Sequence, residues 1–214
     1  MSESAFSWEL FNRVPVIGIV RNLSMEEVIQ ILPLYYEAGL TTIEITMNTG
    51  GAEDMIRHAR DQFNSKLNVG AGTVCTKDDL KKAIEAGAQF IVTPVTRRKI
   101  IRACVKKEIP IFPGAFTPSE IYKAWSAGAS IVKVFPATTL GANYIKDVKA
   151  PLSQVKLIPT GGIDLENIES FKKAGAEGFG VGSPLFKKNL IRDKDWNALK
   201  EHFKLFVEKV SAVS

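Results

Sequence analysis

Short apolar, β-branched runs alternate along this chain with segments whose apolar positions recur every three or four residues. The runs cover residues 14–20, 41–47, 68–73, 90–94, 110–114, 130–136, 156–162 and 178–183. Several are apolar on both faces, as a strand covered on both sides of a parallel sheet requires. The intervening helices have readable starts. Ser24-Met25-Glu26-Glu27 is a capping box, followed on one face by Val28, Ile31, Leu32 and Tyr35. Thr76-Lys77-Asp78-Asp79 leads into Leu80, Ala83 and Ile84. Thr117-Pro118-Ser119-Glu120 joins a cap to a proline at the first helical position and an acid at the third. Near the C-terminus Trp196, Leu199, Phe203, Phe206 and Val210 form one stripe. Pro33 falls inside the first of these helices and predicts a kink or a shortened helix.

A small-residue turn precedes a predicted strand four times: Glu37-Ala38-Gly39-Leu40, Glu85-Ala86-Gly87-Ala88, Ser126-Ala127-Gly128-Ala129 and Lys173-Ala174-Gly175-Ala176. Each glycine is placed to end a helix in the left-handed conformation. Pro94, Pro113, Pro136 and Pro159 fall at or near the ends of four runs, where a residue without an N–H suits a strand that stops. Eight strand–helix units of roughly 25 residues fill the chain, the arithmetic of a compact (β/α)8 barrel. The prediction is one α/β domain over residues 1–214, a TIM barrel with a short N-terminal helix. The alternative is an open doubly wound sheet.

Composition narrows the function. Hydrophobic residues make up 45% and charged residues 24%, a globular balance that excludes a disordered or collagen-like chain. No run of about 18 apolar residues predicts a membrane span. Residues 1–12 carry Glu3 and Glu9 instead of the basic start and apolar core of a secretory signal. Cys75 and Cys104 are too few for a disulfide framework, so the cytoplasm is the expected compartment. With His58 and His202 far apart and no cysteine cluster, no metal and no cofactor are expected. The net charge of +5 permits an anionic partner without naming one. Arg97-Arg98-Lys99 reads as a solvated helix start, and no aromatic-plus-basic motif points to nucleic acid.

A barrel of this kind carries its active site at the C-terminal ends of the strands, so polar residues there carry the chemistry. Arg21 closes the first run, Glu44 interrupts the second, Thr73 closes the third and Lys133 interrupts the sixth. A lysine among β-branched residues of a covered strand must bury its amine or aim it into a polar site. Burial lowers the amine's pKa and frees its lone pair for attack on a carbonyl. Glu44, four strands away across the mouth, is either an ion-pair partner or a proton shuttle for an imine-forming amine. Gly161-Gly162 and Gly182-Ser183 follow the seventh and eighth runs, where such barrels bind phosphate on backbone N–H groups; turn glycines are the alternative. Arg21 and Thr73 would face the other end of the substrate. Pro94 and Phe135 would line the wall near Lys133, or else serve as a strand-end proline and a core aromatic. Cys75 lies near the mouth without a histidine to activate it.

These residues sit in six ordered motifs. They are Glu44 within Ile-Glu-Ile-Thr, Gly70-Ala71-Gly72-Thr73-Val74, Phe112-Pro113-Gly114, Lys133-Val134-Phe135-Pro136-Ala137, Pro159-Thr160-Gly161-Gly162-Ile163, and Gly182-Ser183. In that order, across nearly the whole chain, they resemble the class I aldolases for 2-keto-3-deoxy-6-phosphogluconate and 4-hydroxy-2-oxoglutarate. The resemblance implies a metal-free, homotrimeric barrel acting on a phosphorylated 2-keto-3-deoxy sugar acid to release pyruvate. It implies a Schiff base at Lys133, proton transfer by Glu44, and Arg21 and Thr73 on the pyruvate carboxylate. Gly161, Gly162, Gly182 and Ser183 would hold the phosphate. One position departs: several phosphogluconate enzymes carry a carboxylate-binding arginine where this chain has Asn48. The sibling 6-phosphogalactonate aldolases are similar to this chain there and at Gly141-Ala142-Asn143-Tyr144-Ile145-Lys146. A phosphate-binding barrel isomerase or epimerase without an imine, and a non-catalytic sensor of phosphorylated acids, are the rival readings.

Overall fold

The computed structural model describes residues 5–211. Among them, eight parallel strands form one sheet: β1 (Val16–Val20), β2 (Thr42–Thr46), β3 (Asn68–Gly72), β4 (Phe90–Thr93), β5 (Ile111–Ala115), β6 (Val132–Val134), β7 (Leu157–Pro159) and β8 (Phe179–Val181). The helices are α1 (Trp8–Arg13), α2 (Met25–Glu37), α3 (Ala52–Phe63), α4 (Lys77–Glu85), α5 (Arg98–Lys106), α6 (Pro118–Ser126), α7 (Ala137–Lys149), α8 (Ile168–Lys173), α9 (Lys188–Arg192) and α10 (Trp196–Ser211). Each strand pairs with its sequence neighbour, β8 pairs with β1, and a parallel bridge from Thr160 to Gly180 brings β7 to β8. The result is a (β/α)8 barrel, and the open doubly wound sheet is excluded.

The repeat glycines do what their spacing predicts: Gly39, Gly87, Gly128 and Gly175 have φ of 96°, 88°, 100° and 96°. The predicted capping box forms at Ser24, and the helix starts read at Thr76 and Thr117 close as capping boxes too. Two expectations are corrected. Helix α2 runs through Pro33 to Glu37 without being shortened. Pro33 is exposed, and Ile29, whose carbonyl loses its donor to the proline, is itself 39% exposed, so water can serve that carbonyl. Pro113 lies inside β5, opposite Thr93, instead of at its end. Strands β6 to β8 are also shorter than their apolar runs. After β7 the left-handed backbone of Gly161 and Gly162, at φ 90° and 74°, leaves the ladder and becomes rim.

Side chains alternate between two cores. Outward residues such as Ile43, Ile45, Val69, Ile91, Val132 and Val134 pack under the helices. Inward residues Ile17, Phe90, Val92, Phe112, Ile131 and Ile158 fill the lower barrel, joined from below by Phe6 and Phe11. Phe6 packs edge-on against Trp8 at 4.8 Å and Phe90 at 5.3 Å between ring centroids. Side chains fasten this plug. Asn68 accepts from the Ser7 N–H at 2.7 Å and donates back to the Ser7 carbonyl at 2.8 Å. Gln89 donates to the Ala5 carbonyl at 3.1 Å, and Thr41 donates to the Leu10 carbonyl at 2.7 Å. No helix among the described residues is long and apolar enough to cross a membrane.

Candidate active site

The alternation that sends Ile43 and Ile45 toward the helices turns Glu44 toward the barrel axis, and Val132 and Val134 do the same for Lys133. Both are buried, at 1% and 5% exposure. They lie one layer above the aromatic floor, at the end of the barrel where the strands finish.

The electrostatics of the pair are unusual. Glu44 Oε1 is buried without a hydrogen-bond partner, an arrangement that costs about 1–3 kcal/mol for a neutral group and more for a charged one. Burial pushes the Glu44 carboxyl above its ordinary value, outweighing the attraction of Lys133 and Arg21. Burial holds the Lys133 amine below its ordinary value; Glu44 opposes the shift and Arg21 adds to it. For both groups desolvation is the larger effect. The pair is thus drawn toward a neutral acid and a neutral amine. Lys133 Nζ also stands 5.0 Å from the centre of the Phe135 ring.

Above the pair opens a cavity of about 340 Å³. Arg21, Lys133, Phe135, Gly161, Gly162, Gly182 and Ser183 all line it, from four different strand ends. Glu44 is not on this wall but is coupled electrostatically to Lys133 and Arg21. Thr73 and Pro94 stand just past β3 and β4, half-buried, and do not line this cavity. Thr73 is held at φ 55°, a conformation that costs a β-branched residue about 1–3 kcal/mol. Asn48 is exposed on the turn after β2.

The cavity also includes residues the sequence did not single out, among them Ile19, Leu23, Thr160, Phe186 and Lys188. Thr160 had a signal: it lies two residues beyond inward-facing Ile158 and directly before Gly161-Gly162. Lys188 had none, because it lies beyond the last strand. Cys75 is half-buried, and burial raises its thiol above the ordinary value, with Asp79 adding to the rise and Arg97 opposing it. That is the reverse of an activated nucleophile.

Glycines shape the space around the acid. A Cβ on Gly72 would stand 2.5 Å from Glu44 Oε1, so the carboxyl fits only because β3 has no side chain there. A Cβ on Gly162 would collide with the Thr138 side chain. The Thr138 N–H in turn donates to the Gly161 carbonyl at 3.0 Å.

Known proteins share this fold and much of this sequence. The family model described as KDPG and KHG aldolase matches residues 9–202. The 2-dehydro-3-deoxy-6-phosphogalactonate aldolase of Escherichia coli (strain K12) is 33% identical over 82% of this chain and 86% of its own length. The 2-dehydro-3-deoxy-phosphogluconate aldolase of Haemophilus influenzae is 33% identical over 89% of this chain and 92% of its own. A solved structure described as native KDPGal superposes with a TM-score of 0.88 at 28% identity, covering 98% of each chain. KDPG aldolase from Legionella pneumophila, with pyruvate captured at low pH as a covalent carbinolamine intermediate, superposes with a TM-score of 0.84 at 28% identity, covering 91% of this chain and 95% of that one. The barrel, the buried lysine–glutamate pair and a family match across most of its length together make this chain a member of the KDPG and KHG aldolase family of carbon–carbon lyases.

Proposed function

We propose that this chain is a class I aldolase that cleaves 2-dehydro-3-deoxy-6-phosphogluconate to pyruvate and glyceraldehyde 3-phosphate, and 4-hydroxy-2-oxoglutarate to pyruvate and glyoxylate. The supporting observation is the buried Lys133–Glu44 pair at the open end of the barrel, each member driven toward its neutral form.

A neutral Lys133 amine attacks the C2 carbonyl to form a carbinolamine. Glu44 gives its proton to the departing hydroxyl, which leaves as water, and an iminium remains. The iminium accepts the electron pair of the breaking C3–C4 bond while the Glu44 carboxylate takes the C4 hydroxyl proton, releasing the aldehyde. The neutral acid then protonates C3 of the enamine, and water hydrolyses the new iminium to free pyruvate and restore the amine. Arg21 and Thr73 hold the carboxylate, and fixed orientation removes part of the entropic barrier. The strain at Thr73 fits a residue held in place for function. Pro94 and Phe135 pack the wall beside the imine. Gly161, Gly162, Gly182 and Ser183 take the phosphate on backbone N–H groups and one hydroxyl.

An isomerase or epimerase without an imine needs two acid–base groups, and beyond the Lys133–Glu44 pair the described cavity lining adds only the cations Arg21 and Lys188. A second reading within the family is the galactonate epimer, favoured by Asn48 and by the similarity to the Escherichia coli phosphogalactonate enzyme. The two phosphorylated substrates differ at C4 and give the same products, so only their rates separate the readings. Pyruvate release from phosphogluconate, phosphogalactonate and hydroxyoxoglutarate substrates, measured side by side, tests the proposal. The highest kcat/KM should fall on the phosphogluconate substrate. The highest value on the galactonate epimer moves the assignment to that epimer, and no release from any of the three overturns it.

The same reading places the enzyme in the cytoplasm as a homotrimer. Val95, Phe116 and Tyr122, at 49%, 39% and 53% exposure beside the mouth, offer apolar surface for that assembly. A monomer in sedimentation contradicts it.

A further inference from the structure

The cavity holds one cation with no place in the mechanism above. Lys188, the first residue of α9, lines the same space as Lys133 and Arg21. It reaches the wall from the same segment as Gly182 and Ser183. The charges that act on Lys133 are Glu44 and Arg21, and those that act on Glu44 are Lys133 and Arg21. Arg21 therefore stands near the reacting pair, whereas Lys188 lines the cavity from the segment that carries Gly182 and Ser183. Every charged side chain on the described wall is a cation.

We propose that Lys188 is a substrate-selecting residue: its ammonium binds the terminal phosphate of the substrate beside Gly161, Gly162, Gly182 and Ser183. This rests on the aldolase reading and deepens it. A cradle of glycine N–H groups and one hydroxyl is uncharged, and it recognises shape and hydrogen-bond acceptors. An ammonium on the same cavity wall adds selection for a dianion over the neutral hydroxyl of an unphosphorylated sugar acid. The substrate then lies between two cations, with Arg21 on the carboxylate and Lys188 on the phosphate. Both ends are anchored while C2 rests against Lys133. Lys188 is exposed, so its contribution belongs at the lower end for a charged hydrogen bond.

Two measurements on the full chain test this. The first is calorimetric binding of inorganic phosphate at low salt, compared between the wild type and Lys188→Ala and Lys188→Arg. Phosphate should bind roughly tenfold more weakly to Lys188→Ala, with most of the loss recovered in Lys188→Arg. Equal affinity in the wild type and Lys188→Ala overturns the proposal. The second is the ratio of kcat/KM for the phosphorylated substrate to that for its dephosphorylated analogue. Lys188→Ala should lower this ratio by roughly tenfold, mainly through KM for the phosphorylated form. An unchanged ratio, or a loss expressed mainly in kcat, overturns the proposal. The binding arm does not depend on turnover. A wild type that binds phosphate through Lys188 but releases no pyruvate contradicts the aldolase reading and leaves the anion site standing.

Discussion

The two ends of this barrel are built from the same strands and in opposite ways. At the lower end every side chain discussed above is matched. Phe6, Phe11, Phe90 and Phe112 fill the axis, and Asn68, Gln89 and Thr41 spend their polar atoms holding the N-terminal segment in place. At the upper end Glu44 Oε1 is buried with no partner and Lys133 carries its amine into a cavity. A few ångströms of strand separate a site shaped for packing from one left unsatisfied. On the proposed reading stability resides in the first and chemistry in the second, because a group whose needs are unmet in the free protein has something to give a substrate.

Lys133→Met is the strongest test of that division. Removing the nucleophile should lower kcat on the order of 10^6-fold, the loss seen when a covalent nucleophile is deleted. The same change leaves beside an apolar chain of similar length a Glu44 carboxyl that burial already drives toward its neutral form, so the variant should stay folded. A variant that loses activity because it unfolds would erase the contrast. Phe112→Ala should do the reverse. It opens a cavity in the aromatic floor and should cost about 3–5 kcal/mol in denaturant unfolding, with kcat per folded molecule close to the wild type.

Gly70 and Gly72 sharpen the contrast, since both face inward on β3, one layer apart. A Cβ on Gly70 would stand 2.5 Å from the Phe90 ring, and one on Gly72 would stand 2.5 Å from Glu44 Oε1. The same added methyl therefore strikes the floor in one variant and the acid in the other. Gly72→Ala should lower kcat by about 10^2-fold, the loss expected for a catalytic group displaced by about an ångström. Gly70→Ala should cost about 1–3 kcal/mol of stability through overpacking. Two variants with the same profile would show that the ends are not independent.

The smallest effect is one of pH. Folded Glu44 keeps its proton to higher pH than the unfolded chain, where the ordinary value is 4.5. Its stabilising contribution is complete below that pH and is lost as pH rises through the folded value. Glu44→Gln suffers no such loss. The melting temperature of Glu44→Gln relative to wild type should be flat below pH 4.5 and move in the variant's favour above it. Movement in the other direction contradicts the burial argument.

The barrel was legible because its signals are local. Two-faced apolar runs, capping boxes and left-handed glycines are each written in a few adjacent residues, and Gly39, Gly87, Gly128 and Gly175 adopt the conformation their spacing demands. Lys133 and Glu44 were legible as polar breaks at inward positions of covered strands, and the family motifs around them assigned a chemistry. The rest depended on contacts between distant segments. Lys188 reaches the cavity only because the chain turns back after β8, and no period in the sequence marks it. Pro33 does not end α2, and the exposure of Ile29, whose carbonyl it leaves without a donor, follows from the fold and not from the local sequence. The division of the barrel into a satisfied floor and an unsatisfied mouth was equally hidden, since Asn68 and Glu44 both read as polar residues in strands until their partners are known.

The central claim is a covalent imine at Lys133. Borohydride reduction of the full chain in the presence of pyruvate, followed by peptide mass mapping, tests it most directly. The account predicts one reduced pyruvate adduct per chain, on the peptide that carries Lys133, and none without pyruvate. An unmodified Lys133 under those conditions, or an adduct on another lysine, would contradict it.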